Sequence, residues 1–330
     1  MEFPNPTVKN LSNEYKDFPP GCVPCPRGSK PGNPGVFEEI HKKFDNLNPN
    51  LFNGMRIIVK KILSNSFNVT HTIALCSQNS VKSANQIGEE KEGYKFASSY
   101  TGIKRVGYKE RYPILYGDIT PSGNLTANLI QTIGCRLRFK FATQVKRNKF
   151  KNSKTAIEYR SDDYTITASL VNPHILKQEG LLLLQFLQAI TSRVTLGAEI
   201  AYEMNSKLPE RQQANLALAL RYSTGFCTFS STFGQAGVRL CYHHKQSQQL
   251  QMGVEFKSNF RTLESECKIV YQLDLPLADL VCQGFVDTHW RVGAVLEKKL
   301  YPLSRASLAL SGLIDHNKQN VNVGIGLNIT

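Results

Sequence analysis

The chain has no run of 18 or more apolar residues, and that absence excludes a helix able to cross a bilayer. Its densest apolar patch, Leu181 to Leu184 with Phe186 and Leu187, is far too short. Acidic residues are scarce: 26 Asp+Glu face 40 Lys+Arg, a formal charge of +14 over 330 residues. A surplus of that size first suggests nucleic acid or an anionic membrane surface as the partner. Cysteine pairs are lacking too. Of eight cysteines only Cys22 and Cys25 lie close together, with neither a second pair at metal spacing nor a βαβ context. An inert, reduced pair is expected there. The first residues, Met-Glu-Phe-Pro, lead into no apolar stretch of the secretory kind, and Arg27 is the only arginine before residue 56. Neither a secretory signal nor an Arg-rich matrix-targeting peptide is expected. P-loop, His-Glu-x-x-His, Gly-x-Ser-x-Gly and zinc spacings are missing, and the adjacent His243 and His244 point to opposite faces of any strand. No enzymatic role, cofactor or metal is implied.

Proline is sparse beyond the N-terminal tenth: eight of the fifteen lie at or before position 34. Residues 1–32 therefore read as a Pro-, Gly- and Asn-rich tail, extended or disordered. Residues 33–48 predict an amphipathic helix. Asn33 suits the N-cap, Pro34 the first position, and Glu38 and Glu39 the positive end of the dipole. Phe37, Ile40, Phe44 and Leu47 fall on one stripe, and Asn48-Pro49 ends it after about four turns, too short to span a bilayer.

From residue 53 to 330 the pattern changes to period two. Val321, Val323, Ile325, Leu327 and Ile329 alternate with Asn322, Gly324, Gly326 and Asn328. Val194, Leu196, Ala198 and Ile200 alternate with Thr195, Gly197 and Glu199, and Leu250, Met252, Val254 and Phe256 with Gln251, Gly253 and Glu255. About nineteen such segments follow one another, each near the roughly 9–11 residues of a membrane strand. One competing reading is a soluble β-rich ligand-binding protein, whose strands average about 5–6 residues and whose apolar faces cover each other. The segments are longer than that, and nearly all carry one polar or glycine face; Leu181–Leu187 is the main exception. Lipid as the cover for the other face requires a closed barrel, since an open edge would leave backbone groups unpaired in hydrocarbon. The fold class is thus an all-β membrane protein, a transmembrane β-barrel of about nineteen strands.

Longer matches carry a resemblance. Asn-Pro-Gly-Val-Phe-Glu-Glu-Ile-His-Lys-Lys (33–43), Leu-Ser-Asn-Ser-Phe-Asn-Val-Thr-His-Thr (63–72), Tyr-His-His-Lys (242–245), Gln-Leu-Gln-Met-Gly-Val-Glu-Phe (249–256), Tyr-Gln-Leu-Asp-Leu-Pro (271–276) and Val-Gly-Ala-Val-Leu-Glu-Lys-Lys-Leu (292–300) are the main ones. With them the chain closely resembles the central channel subunits of the translocase of the outer mitochondrial membrane, the TOM complex. The resemblance implies nineteen strands with a parallel first–last pair, and the N-terminal helix inside the pore. It implies a protein-conducting channel in the mitochondrial outer membrane for presequence-bearing and other precursors. The implied partners are a single-span receptor subunit, small helical subunits, basic precursor proteins, outer-membrane lipids and, during insertion, the sorting machinery; nucleic acid is not among them. Asn322, Gly324, Leu327 and Ile329 fit the β-signal of this class (polar, any, Gly, any, any, hydrophobic, any, hydrophobic). The polar stretch Ser77 to Glu92, longer than usual for the family, reads as a loop. The alternative within barrels is an anion or metabolite porin of the voltage-dependent anion channel type, which shares the strand count but lacks the long Pro-rich leader.

With the apolar faces outward, acids and bases both fall in the lumen. Glu199 and Glu203, Glu264 and Glu266, with Asp279 and Asp287, are expected to form part of an acidic track that attracts basic presequences. Phe285 and Val295, also inward, are candidates for a separate apolar route.

Overall fold

The computed structural model describes residues 32–75, 93–105, 111–146, 149–174, 179–205, 212–300 and 305–330. The tail with Cys22 and Cys25, and the polar stretch ending at Glu92, lie outside the described residues.

Nineteen strands follow in chain order: β1 (Gly54–Ile62), β2 (Phe67–Leu75), β3 (Gly93–Arg105), β4 (Arg111–Ile119), β5 (Leu125–Ile133), β6 (Leu137–Lys146), β7 (Lys149–Arg160), β8 (Tyr164–His174), β9 (Glu179–Ala189) and β10 (Val194–Met204). They continue as β11 (Gln212–Ser223), β12 (Cys227–Gly234), β13 (Gly237–Lys245), β14 (Leu250–Asn259), β15 (Glu264–Leu275), β16 (Leu280–Asp287), β17 (Arg291–Lys299), β18 (Ala306–Asp315) and β19 (Asn320–Ile329). Each pairs antiparallel with the next, and β1 pairs parallel with β19, Gly54 opposite Gly324 and Ile57 opposite Leu327. An odd number of up-and-down strands makes that seam parallel, and closure removes every sheet edge. Successive turns alternate between two rims. The first rim holds the start of β1 and the turns before β13, β15 and β17; the second holds the turns before β12, β14 and β16 and the end of β19.

The side-chain period sorts the faces as expected. Met252, Val254 and Phe256 are exposed on the outside of β14, whereas Gly253 and Glu255 are buried on the inside. Ile166, Leu184, Phe186, Ile200, Leu218, Ile269 and Ile325 likewise face outward. In water so large an apolar band would be unstable; lipid covers it. Phe150, Phe260 and Trp290 at the first rim and Phe226 at the second are exposed aromatics at interface height.

Candidate functional site: the lumen wall and its N-terminal belt

Residues 33–52 lie across the inner wall as a belt running from the β7–β8 turn to β19. The helix expected over 33–48 is reduced to a 3-10 turn, Phe37–Glu39, and one α-helical turn, α1 (Lys42–Asp45). Asn33 is not its N-cap: its side-chain amide donates to the Ser161 carbonyl at 2.6 Å, and its Oδ1 accepts from the Gly35 N–H. Val36 and His41 precede the two turns without a side-chain cap. The physical reason is shape. A straight helix of that length would be a rod of roughly 24 Å, and a rod cannot follow a concave wall while keeping its whole stripe in contact.

The apolar side chains of the stripe lie against the wall. Phe37 and Ile40 pack on Leu187 and Ala219, and Phe44 and Leu47 on Cys241, Val270 and Phe285. Leu187 is therefore apolar on the lumen side because the belt covers it, which accounts for that end of the segment apolar on both faces. Each such buried side chain is worth about 1.5–3 kcal/mol before the cost of ordering the belt. Contact this close needs wall positions without side chains. A Cβ on Gly253 would come within 2.7 Å of the Phe44 ring, one on Gly197 within 3.1 Å of the Phe37 ring, and one on Gly293 within 3.0 Å of Leu51. At Gly324 it would lie 2.4 Å from the Phe52 carbonyl oxygen. Glycine on the wet face of a strand marks a seat for approaching chain.

Polar contacts pin the belt between these seats. Arg221 donates to the Pro34 carbonyl at 2.7 Å, and Lys154 pairs with Glu38. Lys43 reaches Thr228 at 2.7 Å, Arg239 pairs with Asp45 at 2.6 Å, and Lys268 donates to Asn48 at 2.6 Å. His41 is buried, with Nδ1 at 2.8 Å from Ser230 Oγ and Nε2 at 3.3 Å from Thr232 Oγ1. Burial, aided by the Arg239 guanidinium, pushes its imidazole down to about 4.

The six acids of the expected track do not form one continuous row. Glu199, midway along β10, accepts from Gln185 Nε2 at 2.6 Å. Glu203 and Glu264, nearer the first rim, carry no ion pair among the described residues. Glu266 and Asp287 are both clamped by Arg291, each at 2.7 Å. Asp279 sits apart in the β15–β16 turn at the second rim. Elsewhere the buried lumen acids are each held by more than one base. Glu158 is held by Lys140, Arg160 and Arg138, and Glu255 by Arg239 at 2.6 Å and Lys257 at 2.9 Å. Between belt and wall lies a cavity of about 610 Å³ lined by Phe37, Glu199, Arg239, Lys257, Glu264 and Glu266. It combines an apolar ring with acids near the first rim. Phe285 faces inward but is buried, with Lys268 Nζ 3.9 Å above its ring and Phe44 and Leu47 packed against it, so it offers no free apolar route; Val295 is inward and half-buried. In β19 Asn322 and Gly324 face the lumen, while Leu327 and Ile329 face lipid.

The reach of Arg291 to Glu266 two strands back, the His41 anchor and the pairing of Asp45 with Arg239 were missed by sequence reasoning, since each joins residues distant in sequence. The glycines on polar faces were the available signal.

A closed nineteen-strand barrel with a lipid-covered exterior and a charged, partly occupied lumen defines a β-barrel membrane channel. A family model described as eukaryotic porin matches residues 33–326. The mitochondrial import receptor subunit TOM40 homolog 2 of Drosophila melanogaster is 42% identical over 90% of this chain and 84% of its own. The TOM40 homologs of Xenopus laevis (40%, over 94% and 89%) and Homo sapiens (39%, over 99% and 84%) are similar in the same way. A solved mutant of Rh. blastica porin is similar at a TM-score of 0.45 and 10% identity, over 69% of this chain and 94% of that one, too remote to bear on the fold. The chain belongs to the eukaryotic porin family and, within it, to the TOM40 homologues.

Proposed function

We propose that the chain is the protein-conducting channel of the mitochondrial outer membrane, passing presequence-bearing and other precursors from the cytosol into mitochondria. The observation that carries this is the 35–42% identity to TOM40 homologues over most of the chain. The metabolite-porin alternative is not favoured, because those relatives are import subunits, and a soluble β-rich protein would not carry the exposed apolar exterior. The barrel works as a channel within the TOM complex. A single-span receptor and small helical subunits are its proposed partners there, on its lipid-facing surface.

Within the lumen, Glu199, Glu203 and Glu264 act as the working part of the acidic track. They carry charge that no basic side chain offsets among the described residues, so a basic amphipathic segment gains most there. Glu266 and Asp287 contribute less because they share the one positive charge of Arg291, which leaves a single net negative charge between them, and Asp279 serves the opposite rim. The cavity beside Phe37 suits such a segment, apolar on one face and basic on the other. Asn322, Gly324, Leu327 and Ile329 serve as the β-signal during insertion. Bilayer recordings of the purified channel with a basic presequence peptide test this reading. The expected result is cation preference and peptide block that weakens about tenfold or more in Glu199→Gln/Glu203→Gln/Glu264→Gln, consistent with roughly 0.5 kcal/mol or more per removed charge. Anion preference with no block would overturn it.

A further inference from the structure

On the outer face near the second rim, Cys227 and His244 are direct cross-strand partners, so the sheet register fixes their approach. Cys227 Sγ lies 3.0 Å from His244 Nδ1, and the Tyr242 hydroxyl donates to the same sulfur at 3.4 Å. The Tyr242 and His244 rings are parallel, with centroids 6.3 Å apart and planes at 6°. The thiol is free and half-buried. It stands one residue from the turn containing Phe226, at the rim where headgroups meet hydrocarbon, and Tyr222, opposite Phe229 on the neighbouring strand, is exposed nearby. The other outward free thiols, Cys267 and Cys282, have no imidazole contact among the described residues. A thiol with a proton acceptor on one side and a hydroxyl donor on the other can hand over its proton as it attacks. None of these groups takes part in the lumen.

We propose that Cys227 and His244 form an acyl-acceptor site at the membrane interface that takes a long-chain acyl group from a coenzyme A thioester. In the tautomer with Nε2 protonated, His244 Nδ1 accepts the Cys227 proton while the Tyr242 hydroxyl stabilises the thiolate. Sγ attacks the thioester carbonyl, and the new S–C bond replaces the carbon–sulfur bond of the donor. The departing coenzyme A thiolate takes the proton back from His244. One thioester is exchanged for another, so no oxidant or further reactant is needed. The transferred chain then lies along the apolar outer wall in the bilayer.

The test uses the full-length chain in phosphatidylcholine vesicles with alkyne-tagged palmitoyl-CoA as probe. The site predicts hydroxylamine-labile labelling that disappears in Cys227→Ser. In His244→Ala it falls about tenfold or more, the low end of the gain from a positioned base. It persists in Cys267→Ser/Cys282→Ser, with single-channel conductance unchanged in all three variants. Labelling that survives Cys227→Ser, that is indifferent to His244→Ala, or that is absent from the parent chain would overturn the proposal.

Discussion

Arg291 shows how one side chain decides the charge of a stretch of wall. Its guanidinium bridges Glu266 and Asp287, and the Asp287 side chain is only 1% exposed. Asp287 also accepts from the backbone N–H groups of His289 and Arg291. Replacing Arg291 with Gln leaves that carboxylate buried without its cation and should destabilise the barrel by about 3 kcal/mol. Equilibrium urea unfolding in detergent reads the loss, and adding Asp287→Asn should recover part of it through their coupling. Gly324→Ala is the matching steric case. Its Cβ would stand 2.4 Å from a backbone oxygen, whereas at Gly326 the nearest atom is the tip of the Phe52 ring at 3.0 Å. Gly324→Ala should loosen the belt by about 1–3 kcal/mol, seen as faster protease cleavage within residues 33–52, with a smaller effect for Gly326→Ala. Equal protection in both variants would contradict the seat. These residues were only partly legible. The β-signal pattern singles out Gly324, but that a carbonyl rests on it depends on closure of the barrel.

At the scale of the element, the belt is held by small groups of contacts, and His41 is the one that titrates near neutral pH. Detached, its imidazole has the ordinary value of 6.5; docked, it is pushed down to about 4. Between those values the detached belt binds more protons, so docking strengthens as pH rises through the window and is lost as pH falls. The full effect is at most about 3 kcal/mol, complete above pH 6.5. A spin label at Lys42 should report growing mobility from pH 6.5 towards 4, and His41→Gln should flatten that dependence. The stripe of Phe37, Ile40 and Phe44 was legible because spacing alone decides which side chains share a face. The break at His41 was not, because local capping and propensity favour a continuous helix and only the curved wall forbids one. The strands were legible almost throughout, since a barrel in lipid enforces the two-residue period along most of each strand, with register shifts only near strand ends at Thr101/Lys104, Gln144/Val145 and Val171/His174 among the described residues. Leu187 departs from it because the belt, not water, covers its lumen side.

For the whole molecule, the surplus of positive charge proved a poor guide to the partner. Inside, buried acids such as Glu158 and Glu255 are held by bases of the same and neighbouring strands, and the acids without an ion pair among the described residues, Glu203 and Glu264, lie near one rim. Such a lumen steers a basic segment locally without a uniform field, and its attraction should weaken as salt shortens the screening length below about 10 Å. Peptide block measured from low to high ionic strength should therefore decline steeply in the parent channel and only slightly in Glu199→Gln/Glu203→Gln/Glu264→Gln. The acids were readable by parity; which of them remain unpaired was set by register and by the reach of Arg291 across two strands to Glu266, which no local pattern reveals. The central claim is passage of polypeptide through the barrel. It is tested most directly by purified channel in vesicles with a protease trapped inside, offered a fluorogenic basic presequence peptide from outside under an inside-negative potential. Protease-dependent cleavage that requires the channel, and falls several-fold in the triple acid variant, is the predicted result. Vesicles that pass small anions freely yet leave the peptide intact would contradict it.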